Sequence, residues 1–438
     1  MIEMEMVLAE AASSPQGLLM LAPVLQNWLH PHGEGALSSN VGAADLAFQR
    51  WFRFKEAYSP RIVMDAIREN GRKVQRCIDP TGGSGTTALV CSFLGIECDT
   101  VEVNPFMADL ISAKTRIYDT ASLAVDVAEV IAARPKSDSL ARYAEAPATL
   151  IEPGENERWV FNLAVARQIG AFADAIELAD PRNQPFLRVM LGSILRDVSN
   201  VVVNGKGRKY RKGWERRIVT AAQVVDRMRD ACKAAYGDVV RYSSRLEGEA
   251  VVHLGDAREL VADLPDADCA IFSPPYPNSF DYTDIYNLEL WMLGYLRSAA
   301  DNRGLRLATM HSHVQLNRPG RVPAGRSSTL EAASIGIERN RLSLWHRGIP
   351  EMLSSYFADM EGVISDLASV IRPGGLITVI VGGSSYAGVA VDAPTIIAEL
   401  GRSMGLELVR HTNLRSMRLS AQQGGQFGLS EDAVVFRC

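Results

Sequence analysis

The alternation of apolar and polar residues predicts two short strands on either side of a helix in the first quarter of the chain. Apolar runs occur at 74–80 and 96–103, and the intervening TTALVCSFLG places apolar side chains at helical spacing. A strand, a helix and a second strand in this order form the unit from which parallel sheets are built. This part of the sequence therefore predicts an α/β fold.

The strand pattern returns only after a long interruption, because residues 116–249 have mainly helical periodicity. Further strands are predicted at 250–256, 268–275, 375–382, 406–415 and 433–438. Residues 297–350 are rich in Arg, Gly, Ser and Pro, and indicate either a long functional loop or a small insertion. We therefore expect a doubly wound, mostly parallel, seven-stranded Rossmann-like sheet with a helical insertion.

These patterns divide the chain into parts of one sheet-forming domain and the segments that interrupt it. The segments are an N-terminal segment at 1–40, sheet-forming parts at 41–115, 250–296 and 351–438, a mainly helical insertion at 116–249, and the Arg-rich stretch at 297–350.

Composition restricts the class of protein. The chain has 438 residues, of which 47% are hydrophobic and 22% charged, as is usual for a soluble globular protein. Its formal net charge of −5 gives no overall basic character, so any nucleic-acid binding requires a local patch. The six cysteines form no Cys-x-x-Cys pair and are expected to be reduced thiols.

The sequence also predicts a cytoplasmic location without a membrane partner. The acidic start MIEMEMVLAEAASS lacks the basic leader of a secretory signal. The longest uncharged run, 373–391, contains Gly-Gly-Ser-Ser and predicts a strand followed by a loop instead of a membrane span.

A glycine-rich loop, DPTGGSGTT at 79–87, joins the first strand to its helix. Glycines let the backbone approach a ligand at a helix N-terminus, where unpaired N–H groups point outward. Glu102 ends the next strand, where an acid commonly accepts hydrogen bonds from ribose hydroxyls. Asp79, just ahead of the glycines, suits a cationic amino group, and S-adenosylmethionine has both an amino group and a ribose.

Other interpretations of this loop remain open. A phosphate-binding P-loop requires Lys after its last glycine, where this chain has Thr86, and a dinucleotide site requires a G-x-G-x-x-G spacing that is absent. The loop could also be a turn without a ligand. Asp256, at the end of the following strand, is a candidate partner for an adenine amino group, a helix N-cap for ARELVADL, or both.

The second motif is IFSPPYPNSFDY at 271–282, where a buried strand runs into Ser-Pro-Pro-Tyr. The glycine motif followed by SPPY resembles the amino-group DNA methyltransferases, which modify N6 of adenine or N4 of cytosine. The resemblance covers roughly 41–115, 250–296 and 351–438. It implies a catalytic methyltransferase domain with cofactor binding in its first part and the SPPY site in its second.

The resemblance implies S-adenosylmethionine as cofactor and assigns roles to individual residues. Asp79 would lie near its amino group, Glu102 would hold the ribose and Asp256 the adenine. The loop residues expected in the cofactor site are Pro80, Gly82, Gly83, Ser84, Gly85 and Thr86, with the four from Gly82 to Gly85 around the methionyl group. Phe54 and Tyr58, in WFRFKEAYSP at 51–60, would complete the pocket or simply pack on the sheet.

Within the catalytic tetrad Ser273, Pro274, Pro275 and Tyr276, serine in first place is typical of cytosine-N4 enzymes, whereas Asp or Asn is more usual for adenine. An exocyclic amine conjugated to a ring is a poor nucleophile, and acceptors against its N–H bonds favour the reactive geometry. The Ser273 hydroxyl and the Pro274 carbonyl are such acceptors, and the prolines fix their direction. Tyr276 would stack on a flipped-out base. No cysteine follows a proline, so carbon-5 chemistry is not expected.

The chain departs from the resemblance in its order, because the large insertion precedes the strand of Asp256. One candidate DNA contact is NGKGRKYRKGWERR at 204–217, with basic residues Lys206, Arg208, Lys209, Arg211, Lys212, Arg216 and Arg217. Tyr210 and Trp214 could stack or wedge there, although a charge run is often only a solvated face. The rival element is the Arg-rich stretch, with Arg303, Arg306, Arg318, Arg321 and Arg326.

The sequence therefore predicts a site-specific, cytosine-N4 DNA methyltransferase. Adenine N6, guanine N2 in RNA, a glutamine amide in protein and an inactive recognition subunit remain alternatives. The expected partner is DNA, and an associated restriction endonuclease or other defence-system proteins are candidates for a second partner. His311 and His313 show no ligand-type pattern in the sequence, so no metal is predicted.

Overall fold

The computed structural model describes residues 28–29, 43–204, 207–242, 250–278, 280–418 and 427–438. The predicted N-terminal segment, 1–40, lies outside them except for Trp28 and Leu29, which are buried. The Trp28 indole N–H donates to the Ala47 carbonyl at 3.0 Å, and its ring stacks on Phe93 with 4.9 Å between centroids. These two residues are therefore anchored in the core.

Seven strands form the central sheet, in the order β6-β7-β5-β4-β1-β2-β3. The strands are β1 Arg76–Asp79, β2 Glu97–Glu102, β3 Ala250–Leu254, β4 Ala267–Phe272, β5 Ile371–Gly382, β6 Glu407–Arg418 and β7 Phe427–Arg437. Strand β7 is antiparallel to both of its neighbours, and the other pairs are parallel. The predicted fold class, a mostly parallel seven-stranded α/β sheet, is confirmed.

Helices surround this sheet. They are α1 Pro60–Glu69, α2 Thr86–Leu94, α3 Pro105–Thr115, α4 Thr120–Ala132, α5 Leu163–Leu178, α6 Gln184–Val198, α7 Ala221–Arg241, α8 Ala257–Leu260, α9 Tyr282–Ile285, α10 Asn287–Met292, α11 Ala299–Leu307, α12 Ser328–Arg339, α13 Ile349–Val370 and α14 Ala393–Ser403. Short 3₁₀ turns lie at Gln49–Trp51, Ala141–Tyr143, Trp214–Arg216, Val261–Asp263 and Arg341–Ser343. Across the described ranges, none of the helices combines the length and apolarity needed to cross a membrane.

The inner strands β1, β2, β4 and β5 are largely buried on both faces because helices cover both sides of the sheet. In β4, Cys269 and Ile271 join one apolar layer, whereas Ala270 and Phe272 join the other, as expected when successive side chains point to opposite faces. The first layer contains α1 to α7, and the second contains α13 and α14.

The segment between β2 and β3 thickens the first layer. Helix α3 packs against α6, and α6 packs against α5 and α7. Phe186 of α6 and Met228 of α7 are fully buried in the same apolar cluster as the sheet residues. The helices of this segment therefore share the core of the sheet-forming part.

The Arg-rich stretch 297–350 contains α11 and α12 and the 3₁₀ turn Arg341–Ser343. The interpretation as one long loop is therefore wrong for these residues. Leu330, Ala333 and Ile337 are the apolar residues that α12 buries, and α12 packs on α13 and α14. Apolar positions spaced three and four apart explain this, although charged and small residues dominate the composition.

Candidate active site

A cavity of about 320 Å³ opens at the carboxyl ends of β1 to β4, where parallel strands bring their terminal residues to one edge. The predicted site residues that line it are Phe54, Pro80, Gly83, Glu102, Asp256, Ser273, Pro274, Pro275 and Tyr276. The other predicted cofactor residues, Tyr58, Asp79, Gly82, Ser84, Gly85 and Thr86, are not part of the cavity wall. The structure thus brings both motifs to one cavity but separates the residues into a wall and a supporting layer.

Two of the three loop glycines have a packing reason. A Cβ on Gly82 would lie 2.3 Å from Cγ2 of Thr100, and one on Gly85 would lie 2.9 Å from Ile111. Gly85 also has φ +76°, a left-handed conformation that glycine adopts without strain. Gly83 differs, because it lines the cavity and its N–H donates to Oε2 of Glu102 at 2.7 Å. Only Gly83, of these three, presents its backbone to a ligand.

Glu102 connects the glycine loop to the end of β2. Its second oxygen accepts a hydrogen bond from the Asn104 N–H, also at 2.7 Å. Burial raises the pKa of Glu102 to about 7 in spite of these donors. Each carboxylate oxygen has a further lone pair, so Glu102 can also accept hydrogen bonds from hydroxyls in the cavity.

Asp79 lies beneath the loop. Its Oδ1 accepts the Thr81 N–H at 3.1 Å, while Oδ2 is buried without a hydrogen-bond partner among the described residues. Burial raises the pKa of Asp79 well above its usual value. An unpartnered buried carboxylate oxygen fits a cationic ligand group, although Asp79 is not in the cavity wall.

A buried lysine that the sequence analysis missed holds the same loop. Lys114 of α3 donates from Nζ to the Ser84 carbonyl at 2.7 Å and to Oε1 of Gln49 at 3.1 Å. Gln49 in turn donates to the Thr86 hydroxyl at 3.2 Å. Burial lowers the pKa of Lys114 to about 7. The signal in the sequence was a lone lysine at the end of the apolar segment PFMADLISAKT.

Asp256 both caps a helix and faces the cavity. Its Oδ1 accepts the Arg258 N–H at 3.0 Å as the N-cap of α8, and the Arg258 guanidinium pairs with both of its oxygens. Arg258 also pairs with the buried Asp359 at 3.1 Å. The N-cap interpretation is therefore confirmed, and the contact with adenine stays a prediction.

The aromatic segment before α1 contributes one residue to the cavity wall and one to the layer behind the glycine loop. Phe54 lines the cavity and stacks on Tyr286 with 5.1 Å between centroids. Tyr58 is buried, and its hydroxyl hydrogen-bonds to the hydroxyl of Thr87 behind the loop. Tyr58 therefore contacts the glycine loop from the side away from the cavity, which is close to the alternative in which it only packs on the sheet.

The Ser-Pro-Pro-Tyr turn is held by contacts from distant parts of the chain. The Thr81 hydroxyl donates to the Ser273 carbonyl at 3.1 Å, and the Tyr386 hydroxyl donates to the Pro277 carbonyl at 2.9 Å. No donor among the described residues reaches the Pro274 carbonyl. Ser273 and Pro274 both line the cavity, so the Pro274 carbonyl and a lone pair of the Ser273 hydroxyl are left without a donor from the described residues.

Two further wall residues, Glu431 and Arg415, come from the C-terminal hairpin β6–β7. Glu431 is only 2% exposed and accepts hydrogen bonds from the Tyr276 hydroxyl and from Arg415, whose Nε lies 2.6 Å from Oε2. Neither residue was predicted from the sequence. The available signal was a pair of acids, Glu431-Asp432, immediately before the apolar run of a predicted strand.

Residues 308–313, between α11 and α12, form another part of the wall, in which Thr309, Met310 and Ser312 face the cavity. Burial lowers the pKa of His313 to about 4. His311 does have a partner, because its Nδ1 lies 2.7 Å from Asp359, a pairing that the sequence did not indicate. Over the ranges that the structure describes, no group of His, Cys, Asp and Glu is placed to hold a metal ion.

Asp281, next to this wall, has a structural role. It is the N-cap of α9, accepting from the Thr283 and Asp284 N–H groups, and Nε of Arg306 donates to it at 2.8 Å. Its pKa is lowered, mainly because nearby His313, Thr283 and Arg306 outweigh its burial.

The basic stretch forms a two-stranded antiparallel hairpin, Val201–Asn204 with Gly207–Tyr210, which packs against α9 just after the catalytic turn. Arg211 and Arg217 donate to backbone carbonyls of Arg196, Ser199 and Asp197. Four basic side chains make no hydrogen bond or ion pair with the described residues, and we call them the free basic group: Arg208, Lys209, Lys212 and Arg216. Of these, Arg208 is half-buried, and its charge counteracts the rise in the pKa of Glu289 that burial causes. Lys206 lies outside the described residues.

The aromatic residues of the hairpin pack together. Trp214 is buried and lies edge-on to Trp159, with 5.1 Å between centroids, and Tyr210 contacts the Trp214 ring. The prediction that Trp214 could stack on or wedge between bases is therefore wrong for this conformation, since its ring is already covered.

Much of the rival Arg-rich element is engaged within the protein. Arg306 pairs with Asp281, Arg321 pairs with Asp359, and Arg318 donates to the Thr309 carbonyl. Arg303 and Arg326 are exposed and make no such contact with the described residues. Of the five arginines named for this element, Arg303 and Arg326 are therefore the two without a partner among the described residues.

Comparison with known proteins gives distant relatives. No protein-family model matches the chain. It is 24% identical to Type II methyltransferase M.AvaI from Nostoc sp. (strain PCC 7120 / SAG 25.82 / UTEX 2576) and from Anabaena variabilis, over 86% of this chain and 83% of each relative. It is 23% identical to Type II methyltransferase M.BsoBI of Geobacillus stearothermophilus, over 87% of this chain and 83% of the relative. The chain, with its seven-stranded sheet and paired motifs, is thus a distant relative of Type II methyltransferases along most of its length.

Proposed function

We propose that this protein is an S-adenosylmethionine-dependent DNA methyltransferase that methylates the exocyclic N4 of cytosine at a specific site. One observation carries the proposal: the Ser273–Tyr276 turn and the glycine loop with Glu102 line the same cavity. The similarity to Type II methyltransferases over most of the chain supports it.

The residues present fit the cofactor. The open lone pairs of Glu102 suit a ribose, and Asp256 faces the cavity for the adenine. The orphaned Oδ2 of Asp79, which suits an amino group, lies in the layer behind the cavity wall. When bound, S-adenosylmethionine supplies an activated methyl group on a sulfonium. Phe54 and Gly83 enclose the neighbouring part of the cavity.

The chain's own contribution to transfer is to place and polarise the amine. The Ser273 hydroxyl and the Pro274 carbonyl would accept its N–H hydrogens, which would leave the lone pair of the amine unengaged by the protein. The Tyr276 ring stacks on the base, which must leave the duplex to enter a cavity at the strand ends. Transfer is direct and forms no enzyme-bound methyl intermediate.

We assign DNA contact to the basic hairpin, in the 116–249 insertion. Its free basic group can neutralise phosphates, and its packing against α9 places it beside the turn that holds the base. A restriction endonuclease or another defence protein is the partner that a Type II methyltransferase activity would suit.

The test is to incubate the protein with labelled cofactor and DNA, digest the DNA to nucleosides, and identify the methylated one by mass spectrometry. We expect N4-methylcytosine. N6-methyladenine would refute the cytosine assignment, and label found only in RNA or protein would refute the DNA assignment. Ser273→Ala should abolish transfer while leaving cofactor binding within about twofold, whereas Ser369→Ala, on the exposed surface, should leave both unchanged.

A further inference from the structure

Three side chains form a directed series of hydrogen bonds behind the catalytic turn. The Ser273 hydroxyl donates to the Tyr276 hydroxyl at 3.4 Å, and the Tyr276 hydroxyl donates to Oε1 of Glu431. Arg415 holds Glu431 from the other side, with Nε 2.6 Å from Oε2 and Nη2 3.2 Å from Oε1. An ionised carboxylate only accepts hydrogen bonds, so the direction of the series is set at its Glu431 end.

This direction matters because a serine hydroxyl can either donate or accept. A serine that points its hydrogen at the target amine would oppose that amine's own N–H group. If the hydrogen is directed to Tyr276 instead, a lone pair of Ser273 is left for the amine. Burial and the Glu431 carboxylate raise the pKa of Tyr276 well above its usual value, so the hydroxyl keeps the proton that it donates.

We propose that Glu431, acting through the Tyr276 hydroxyl, is a positioning residue that makes Ser273 a hydrogen-bond acceptor for the target amine. The inference rests on the proposed function, because it needs an amine at Ser273. It also explains why a serine can act where an aspartate, which only accepts, would need no such help.

The test measures the single-turnover rate of methyl transfer with enzyme in excess, for Tyr276→Phe, Glu431→Gln and the double variant. Tyr276→Phe keeps the stacking ring and removes only the hydroxyl. We expect each single change to lower the rate about 10- to 100-fold, as for loss of a hydrogen bond to a charged group. The affinity for S-adenosylhomocysteine should stay within about twofold of that of the unmodified protein. Since the residues act in series, the double variant should be no slower than the slower single variant.

Glu407→Gln is the matched control. Glu407 lies in the same hairpin and pairs with Arg437, but far from the cavity wall and exposed to solvent. Its rate should equal that of the unmodified protein. A Tyr276→Phe rate within about threefold of the unmodified protein, or multiplicative losses in the double variant, would overturn the inference.

Ser273→Asp gives a sharper comparison, because an ionised aspartate has no hydrogen that must be directed away from the target amine. Against the Ser273→Asp background, Tyr276→Phe should change the rate less than about threefold. An undiminished loss in that background would overturn the inference. Should Ser273→Asp lower transfer below detection, the double variant in the serine background decides the matter.

A binding measurement tests the same idea without catalysis. DNA carrying 2-pyrimidinone at the mapped target position has no exocyclic amine. In the presence of S-adenosylhomocysteine, we expect the ratio of the affinity for cytosine to that for this analogue to be severalfold higher for the unmodified protein than for Glu431→Gln. The analogue pairs weakly and is flipped more easily, but this affects both proteins alike. An equal preference in the two proteins would overturn the inference. The methylated nucleoside tests the proposed function, whereas these ratios test the series of hydrogen bonds, so either can fail alone.

Discussion

Glu102→Gln tests whether the acid at the end of β2 controls ligand binding. Burial raises the pKa of Glu102 to about 7, from a usual value near 4.5. The apoprotein therefore holds a proton there between these pH values, and its stability falls as pH rises from about 4.5 through about 7. The difference between these two pKa values corresponds to about 3 kcal/mol, as an order of magnitude.

Ribose hydroxyls donate best to the ionised carboxylate, so the sign for binding is opposite. Affinity for S-adenosylhomocysteine, which is chemically stable, should increase about tenfold from pH 6 to pH 8, in proportion to the ionised fraction of a group with a pKa of about 7. Isothermal titration calorimetry at several pH values measures this directly. The amino group of the ligand also titrates, and its contribution is removed by comparing the pH dependence of the unmodified protein with that of Glu102→Gln.

We expect Glu102→Gln to bind more weakly at pH 8 and to lose the rise in affinity. The control is Glu97→Gln, which changes an exposed acid of the same strand that pairs with Arg76. It should keep the full pH dependence. The same slope in Glu102→Gln as in the unmodified protein would refute the reasoning, and so would an affinity that falls with pH in both.

Three further measurements test the support around the site. Gly82→Ala should lower the free energy of unfolding, measured by denaturant titration, by about 1–3 kcal/mol because its Cβ would overlap Thr100. The control is Gly237→Ala, at a helical position with open space around it, which should be neutral or stabilising. Asp238→Ala should cost about 1–3 kcal/mol, because the buried Trp51 N–H loses its acceptor while the half-exposed Arg50 is solvated, and no loss of stability would argue against this contact. Replacing the free basic group by alanine should lower the slope of log affinity for DNA against log salt by about 3–4, with an unchanged slope excluding phosphate contact.

The sheet was predictable because its signal is local. The apolar residues Cys-Ile of RCID and Cys-Ala-Ile-Phe of ADCAIF mark two inner strands, and the glycine loop follows a strand and opens a helix. The end of a parallel strand also fixes where its next residue lies, which is why Glu102, Asp256 and Ser273 could be placed together from sequence alone.

The supporting residues were not predictable because each depends on a contact between distant positions. Glu431 reaches Tyr276 only because β7 inserts beside β5, and that strand order is not a local property. Lys114 and Gln49 are in unremarkable local sequences, and their roles come from burial against the loop. Trp214 was misjudged because its cover, Trp159, lies far away in sequence.

The catalytic turn is held from three sides by Thr81, Tyr386 and Glu431, which are 192, 109 and 155 positions away from their partners in sequence. Contacts of such separation form late during folding, because closing the long loops costs entropy before any contact compensates it. Recovery of activity after denaturation should therefore follow the slowest global step and never precede it. Enzymatic activity in this protein would then report complete folding, which makes it a more stringent measure of the native state than helix content.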